Sequence, residues 1–126
     1  MSEMSQGGAM SNAQFITNWK TQVRKGVLEL IVMRALANQD SYGYALIEAF
    51  KAVCGIEITD GTLYAIFMRL KHEGLVESYW GETEKGPARK YYRLTDIGRT
   101  TLSRMDATWT ETVDSISQAK TIGANT

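Results

Sequence analysis

Thr62, Tyr64 and Arg69 are polar residues set into a helical apolar background, and Lys85, Lys90 and Arg93 follow within a stretch rich in β-formers. Hydroxyl, phenol, ammonium and guanidinium groups grip phosphate oxygens, so this set suits contact with a nucleic-acid backbone better than bond breaking. Leu63, Ile66, Phe67 and Leu70 recur at i, i+3, i+4 and i+7. They predict one buried stripe and leave Gly61, Thr62, Ala65, Met68, Arg69 and His72 pointing elsewhere. Tyr64 falls at the stripe's edge, where its hydroxyl reaches a phosphate; a core place beside Leu63 is the alternative. Arg69 is either free for DNA or paired with Glu73 at i+4. Lys90 and Arg93 either charge the outer face of a hairpin or, with Lys85, touch phosphate or the minor groove.

Catalysis has little to work with. His72 is the only histidine, and it falls beside Lys71 and Glu73 on an expected exposed helix end, a poor place for a Ser-His-Asp arrangement. Cys54 and His72 lack partners at zinc spacing, and Cys54 reads as a small buried hydrophobe. No Walker or Rossmann glycine pattern occurs. The sequence thus predicts no catalytic residue, no metal and no cofactor.

The elements that must position the polar set can be read around it. Thr59 or Asp60 is an N-cap and Gly74 a C-terminal stop for the helix between them. Leu75 to Trp80 and Arg89 to Leu94 read as strands, joined by the loop from Gly81 to Ala88 with its Gly86-Pro87 tip. Upstream, Asn18 to Ala37 has too many apolar positions for a helix with one wet side, so it is expected to be sandwiched. Gly26 inside it costs about 1 kcal/mol relative to Ala, which fits close packing or simple tolerance. Asn38 to Ser41 breaks the pattern, and a second helix from Ser41 to Val53 ends at Gly55. Three helices leading into a hairpin give the order of a winged helix-turn-helix. Thr95 then caps a last helix whose Leu102, Met105, Trp109, Val113 and Ile116 are spaced by 3, 4, 4 and 3 residues. That narrow stripe predicts a helix seated against another helix, and a second copy of the chain is the expected cover.

Composition agrees with one folding unit. The chain has 126 residues, 44% of them hydrophobic, which supports a core but is short for a two-domain enzyme. The expected division is a disordered tail over 1–14, a DNA-binding domain over 15–99, a dimerisation helix over 100–122 and a second tail over 123–126. The formal net charge is zero, which disfavours strong nonspecific nucleic-acid binding. Local clustering offsets this, with cations on the hairpin and acids such as Asp106, Glu111 and Asp114 in the last helix. No segment approaches the roughly 18 consecutive apolar residues of a membrane span, and the single cysteine has no disulfide partner, so a cytoplasmic place is expected.

Three blocks resemble the PadR family of bacterial transcription regulators, in its short members with one C-terminal helix. They are Tyr42-Gly43-Tyr44; Gly61-Thr62-Leu63-Tyr64 with Arg69-Leu70 and Glu73-Gly74-Leu75; and Arg89-Lys90-Tyr91-Tyr92-Arg93-Leu94-Thr95 with Gly98. Ser78-Tyr79-Trp80-Gly81 and Trp109 look like the multidrug-binding members. The resemblance implies a mainly α fold with a small β-hairpin, a homodimer bound to a pseudo-palindromic double-stranded DNA operator, and repression of transcription. It also implies that Trp109, with Met105, lines a cavity between protomers for a planar aromatic or cationic small molecule. Leu102, Met105, Val113 and Ile116 are then dimer-interface residues. Pro87-Ala88 and Met68 depart from the more basic residues of such relatives. The alternative is a dimeric ligand-binding or protein-interaction module with weak DNA binding.

Overall fold

The computed structural model describes residues 2–84 and 86–124, with side chains from residue 11 on. Its elements are α1 (Ser2–Asn38), β1 (Ser41–Tyr42), α2 (Gly43–Ala49) continued by a π turn (Phe50–Cys54), α3 (Asp60–His72), β2 (Val76–Thr83), β3 (Gly86–Leu94) and α4 (Asp96–Ala119). Helix α1 begins at Ser2, where composition suggests a tail up to residue 14; the Ser- and Gly-rich start is continued as helix. Its C-terminal half is the sandwiched part, with Val32, Met33 and Leu36 fully buried. Nothing lies within 4 Å of a Cβ built on Gly26, so that glycine is not demanded by close packing in the protomer.

The sheet has three strands, in the order β1-β3-β2, where the sequence suggests only a hairpin. Ser41 pairs with Tyr92 and Tyr42 with Tyr91, so residues expected to open the second helix are a short edge strand instead. Strands β2 and β3 extend well past the expected loop boundaries, with Gly81 opposite Arg89 and Thr83 opposite Gly86. The second helix changes to π geometry at Phe50 and stops at Gly55, whose φ of 65° is left-handed and suits a residue without Cβ. Cys54 on that turn is exposed, not buried as its residue type suggests.

Both expected caps form. Thr59 Oγ1 accepts from the Thr62 amide at 3.2 Å, and Thr95 Oγ1 accepts from the Gly98 amide at 3.0 Å. Each hydroxyl satisfies an amide that the first helical turn cannot. The core joins all the layers: Met33 and Leu36 from α1, Leu46 and Phe50 from the α2 region, Leu63, Phe67 and Leu70 from α3, and Tyr92 and Leu94 from β3. Phe67 and Tyr92 stack at 3.7 Å with 8° between planes, a contact worth about 0.5–1.5 kcal/mol beyond area burial. It fixes α3 against the wing, and so fixes the distance between the two elements that carry the polar set.

Candidate nucleic-acid interface and effector groove

Helix α3 presents three faces. Leu63, Phe67 and Leu70 are buried. Opposite them Gly61, Ala65, Met68 and His72 form the exposed front, and Thr62 with Arg69 on one side and Tyr64 with Lys71 on the other form its flanks. A front of small and apolar side chains can lie close to base edges, while the polar flanks meet the backbone on either side. Met68 and Ala65 on the front are not among the polar candidates that the sequence offers. Their helical phase relative to the buried stripe was the signal that identifies them.

Thr62 is tied into the cap: its Oγ1 accepts from Thr59 Oγ1 at 2.9 Å, which leaves its own proton for an outside acceptor. Arg69 is not paired with Glu73. Its Nη1 donates to Glu29 Oε1 of α1 at 2.8 Å, with the arginine side chain still 70% exposed. Lys71 Nζ donates to Ser78 Oγ at 3.0 Å and ties the helix to β2.

On the wing side, Tyr64 is 59% exposed and borders a groove of about 360 Å³ between α3 and β3. Tyr42, Tyr44, Tyr92, Arg89, Lys90 and Asp60 are its other polar lining. Burial, and after it the neighbouring Tyr64, pushes the Tyr92 hydroxyl above its ordinary range, so the Tyr92 phenol stays protonated and able to donate. The Arg89 guanidinium lies 5.4 Å from the Tyr42 ring centre, and neither Arg89 nor Lys90 makes an ion pair among the described residues. Arg89 and Tyr44 belong to the family-like blocks of the sequence, but only folding brings the two to one groove.

Arg93 is differently placed. Its Nε donates to Glu77 Oε1 at 2.7 Å across the strands, and its guanidinium lies 5.0 Å from the Tyr79 ring centre. Tyr79 in turn donates to Asp40 Oδ2 at 2.6 Å, a bond that raises its pKa. Arg93 therefore braces the wing against the α1–β1 corner. Lys85 lies outside the described residues.

The last-helix stripe divides in two. Leu102 is 8% exposed and sits in the protomer's own core, and Met105 packs on that core half-buried. The expectation that Leu102 waits for a second chain is corrected: α1 covers it, because the two helices converge there. Beyond Met105, Trp109, Val113 and Ile116 are 37%, 40% and 63% exposed. A groove of about 540 Å³ opens between the helices, walled by Val23, Gly26, Val27 and Leu30 on α1 and Met105 and Trp109 on α4. Arg34 Nε donates to Asp106 Oδ1 at 2.7 Å near the point of convergence.

His72 is exposed, and the described residues contain no cluster of three or more His, Cys, Asp or Glu side chains that could hold a metal. No helix among them is long and apolar enough to cross a membrane.

A capped recognition helix, packed through its apolar stripe against a long hairpin, makes this a winged helix-turn-helix protein of the DNA-binding class. Residues 32–104 match the transcriptional regulator PadR-like family, and the chain belongs to that family. An uncharacterised protein of Lysinibacillus sphaericus is 33% identical over 94 residues, which cover 73% of this chain and 86% of the relative. Among solved structures, a PadR family transcriptional regulator from Eggerthella lenta superposes with a TM-score of 0.76 at 33% identity, covering 87% of this chain and 96% of the other. A PadR-like transcription factor from Bacteroides fragilis gives a TM-score of 0.67 at 35% identity, covering 81% and 98%. The family assignment carries DNA-binding transcriptional regulation with it.

Proposed function

We propose that this regulator is a homodimeric repressor that holds a pseudo-palindromic operator through Thr62, Tyr64, Lys90 and the wing, and leaves it when a hydrophobic aromatic molecule enters the groove at Trp109. The observation that carries the reading is the mainly apolar groove between α1 and α4, beside which Trp109, Val113 and Ile116 are left exposed. Apolar surface so arranged favours a second copy, and a two-fold pairing supplies two recognition helices for two half-sites. Lys85, which the sequence sets between the two long strands, adds a cation to that stretch. An effector that fits the groove better when the half-site spacing is wrong lowers operator affinity by its differential affinity for that state.

The second reading is a dimeric ligand-binding or protein-interaction module with weak DNA binding, and the pairing of Arg93 with Glu77 favours it. Selecting fragments of genomic DNA with the purified protein and titrating the winners against salt separates the two. Operator-like fragments with a steep salt slope support the repressor, and their absence sinks it.

Three variants refine the test. Tyr64→Ala, at a mostly exposed site, is expected to weaken operator binding by roughly 1–3 kcal/mol with the fold intact; unchanged affinity removes Tyr64 from the interface. Neutralising Arg89 and Lys90 together is expected to lower affinity for all sequences alike and make the salt slope shallower by about 1 to 2. A fixed slope means that neither meets phosphate. Val113→Asp tests the dimer more cleanly than a change at Met105, which also packs in the protomer. It is expected to raise the dimer dissociation constant at least about tenfold in sedimentation with the helical content unchanged, and an unaltered dimer puts the interface on another face.

A further inference from the structure

Two grooves share one turn of α1. Gly26, Val27 and Leu30 face the groove at Trp109, while Lys25, Leu28 and Glu29 border a smaller one against Thr62, Ile66 and Arg69 of the recognition helix. Leu28 and Ile66 both pack on the common core. The polar link across this second contact is the Glu29–Arg69 ion pair at 2.8 Å, whose carboxylate end is only 17% exposed. Farther along α1, Arg34 is held by Asp106 of α4 at 2.7 Å. One helix is thus tied by an ion pair to the recognition helix and by another to the helix that carries Trp109.

We infer that Glu29 is a positioning residue for Arg69, and that the turn from Lys25 to Leu30 relays occupancy of the Trp109 groove to the recognition helix through this ion pair. The inference rests on the effector reading above. A continuous helix moves as a unit, so an occupant that presses Val27 and Leu30 away from Met105 and Trp109 also displaces Glu29 on the other side of the same turn. A charge-assisted hydrogen bond depends steeply on distance and direction, which makes the pair sensitive to a shift that leaves each helix folded. While the pair is made, one nitrogen of the guanidinium is fixed and the exposed remainder is held in one orientation at the edge of the DNA-facing front. Once it is broken, Arg69 returns to the many rotamers of a free arginine and loses its preset aim.

The test compares operator affinity of the full-length dimer with and without saturating anilinonaphthalene sulfonate, an aromatic dye whose own fluorescence reports its binding. The quantity read is the ratio of the two dissociation constants, so a change in basal affinity cancels. In the unaltered protein the dye is expected to weaken operator binding about tenfold. In Glu29→Gln the dye still binds but the ratio falls to within about twofold of one, whereas Lys25→Gln, on the same turn and without an ion pair among the described residues, keeps the original ratio. Arg69→Gln breaks the pair from its exposed end and is expected to lower the ratio likewise, so a folding defect in Glu29→Gln does not spoil the test. A full ratio in either pair-breaking variant overturns the relay and leaves the effector reading standing. A ratio of one in the unaltered protein, with dye bound, overturns the effector reading and the relay with it.

Discussion

Gly98→Ala is expected to destabilise the protein by about 3 kcal/mol or more, because overpacking against backbone has no soft side chain to absorb it. A Cβ at this position would clash with the Leu75 carbonyl oxygen and lie 3.0 Å from its carbon. The contact cannot simply open. The same carbonyl accepts from the Thr95 amide at 3.1 Å, Thr95 Oγ1 donates to the Gly74 carbonyl at 2.6 Å, and the Gly98 amide closes the cap on that oxygen. The start of α4 is thereby seated on the chain as it leaves α3 for β2. Moving α4 outward breaks the cap bonds and uncovers Leu102, so the clash is relieved only at the cost of both. Urea unfolding followed by circular dichroism measures the loss, and a midpoint within error of the unaltered protein shows that the approach relaxes freely. Operator binding is expected to fall with stability, since this seat orients the wing and α4 relative to the recognition helix.

Gly98 also marks the limit of what a sequence can say. It stood out as part of a family-like block, but its reason, a backbone oxygen contributed from 23 positions earlier, exists only in the fold. Signals that are local and periodic were legible: the α3 stripe, the Thr59 and Thr95 caps, and the paired β-rich segments each depend on neighbours within a turn or a strand. Strand β1 was not, because two residues give no period and its pairing with Tyr91 and Tyr92 is long-range. The helical start from Ser2 was hidden by a Ser- and Gly-rich composition that normally opposes helix.

The candidate site follows the same division. Periodicity identified which side chains leave the buried stripe, and Tyr64 is indeed exposed beside the wing. It could not identify their partners: Arg69 meets Glu29 from 40 residues away rather than the nearby Glu73. Likewise the α4 stripe is one pattern in sequence, yet Leu102 and Met105 pack on the protomer's core while Trp109, Val113 and Ile116 are exposed. A spacing rule reports which face is apolar and leaves open what that face touches.

Trp109→Ala is expected to remove much of the affinity for planar aromatic dyes while leaving the dimer intact. If the groove between α1 and α4 is the effector site, such dyes bind with micromolar constants, about −8 kcal/mol, by stacking on the indole and burying apolar area along Val27, Leu30 and Met105. Truncation takes away the stacking surface, so affinity should drop about tenfold to a hundredfold, the cost of losing one aromatic contact and its buried area. Quenching of tryptophan emission alone does not decide, since Trp19 and Trp80 are also exposed and emit. The comparison of dye affinities in the two proteins does, with sedimentation run alongside to establish that both are dimers. Trp109 lies beyond residue 104, where the family match ends, so its role must be measured in this chain. An undiminished affinity in Trp109→Ala means that the indole only packs, and it leaves a DNA-binding regulator whose effector, if it has one, acts at another surface.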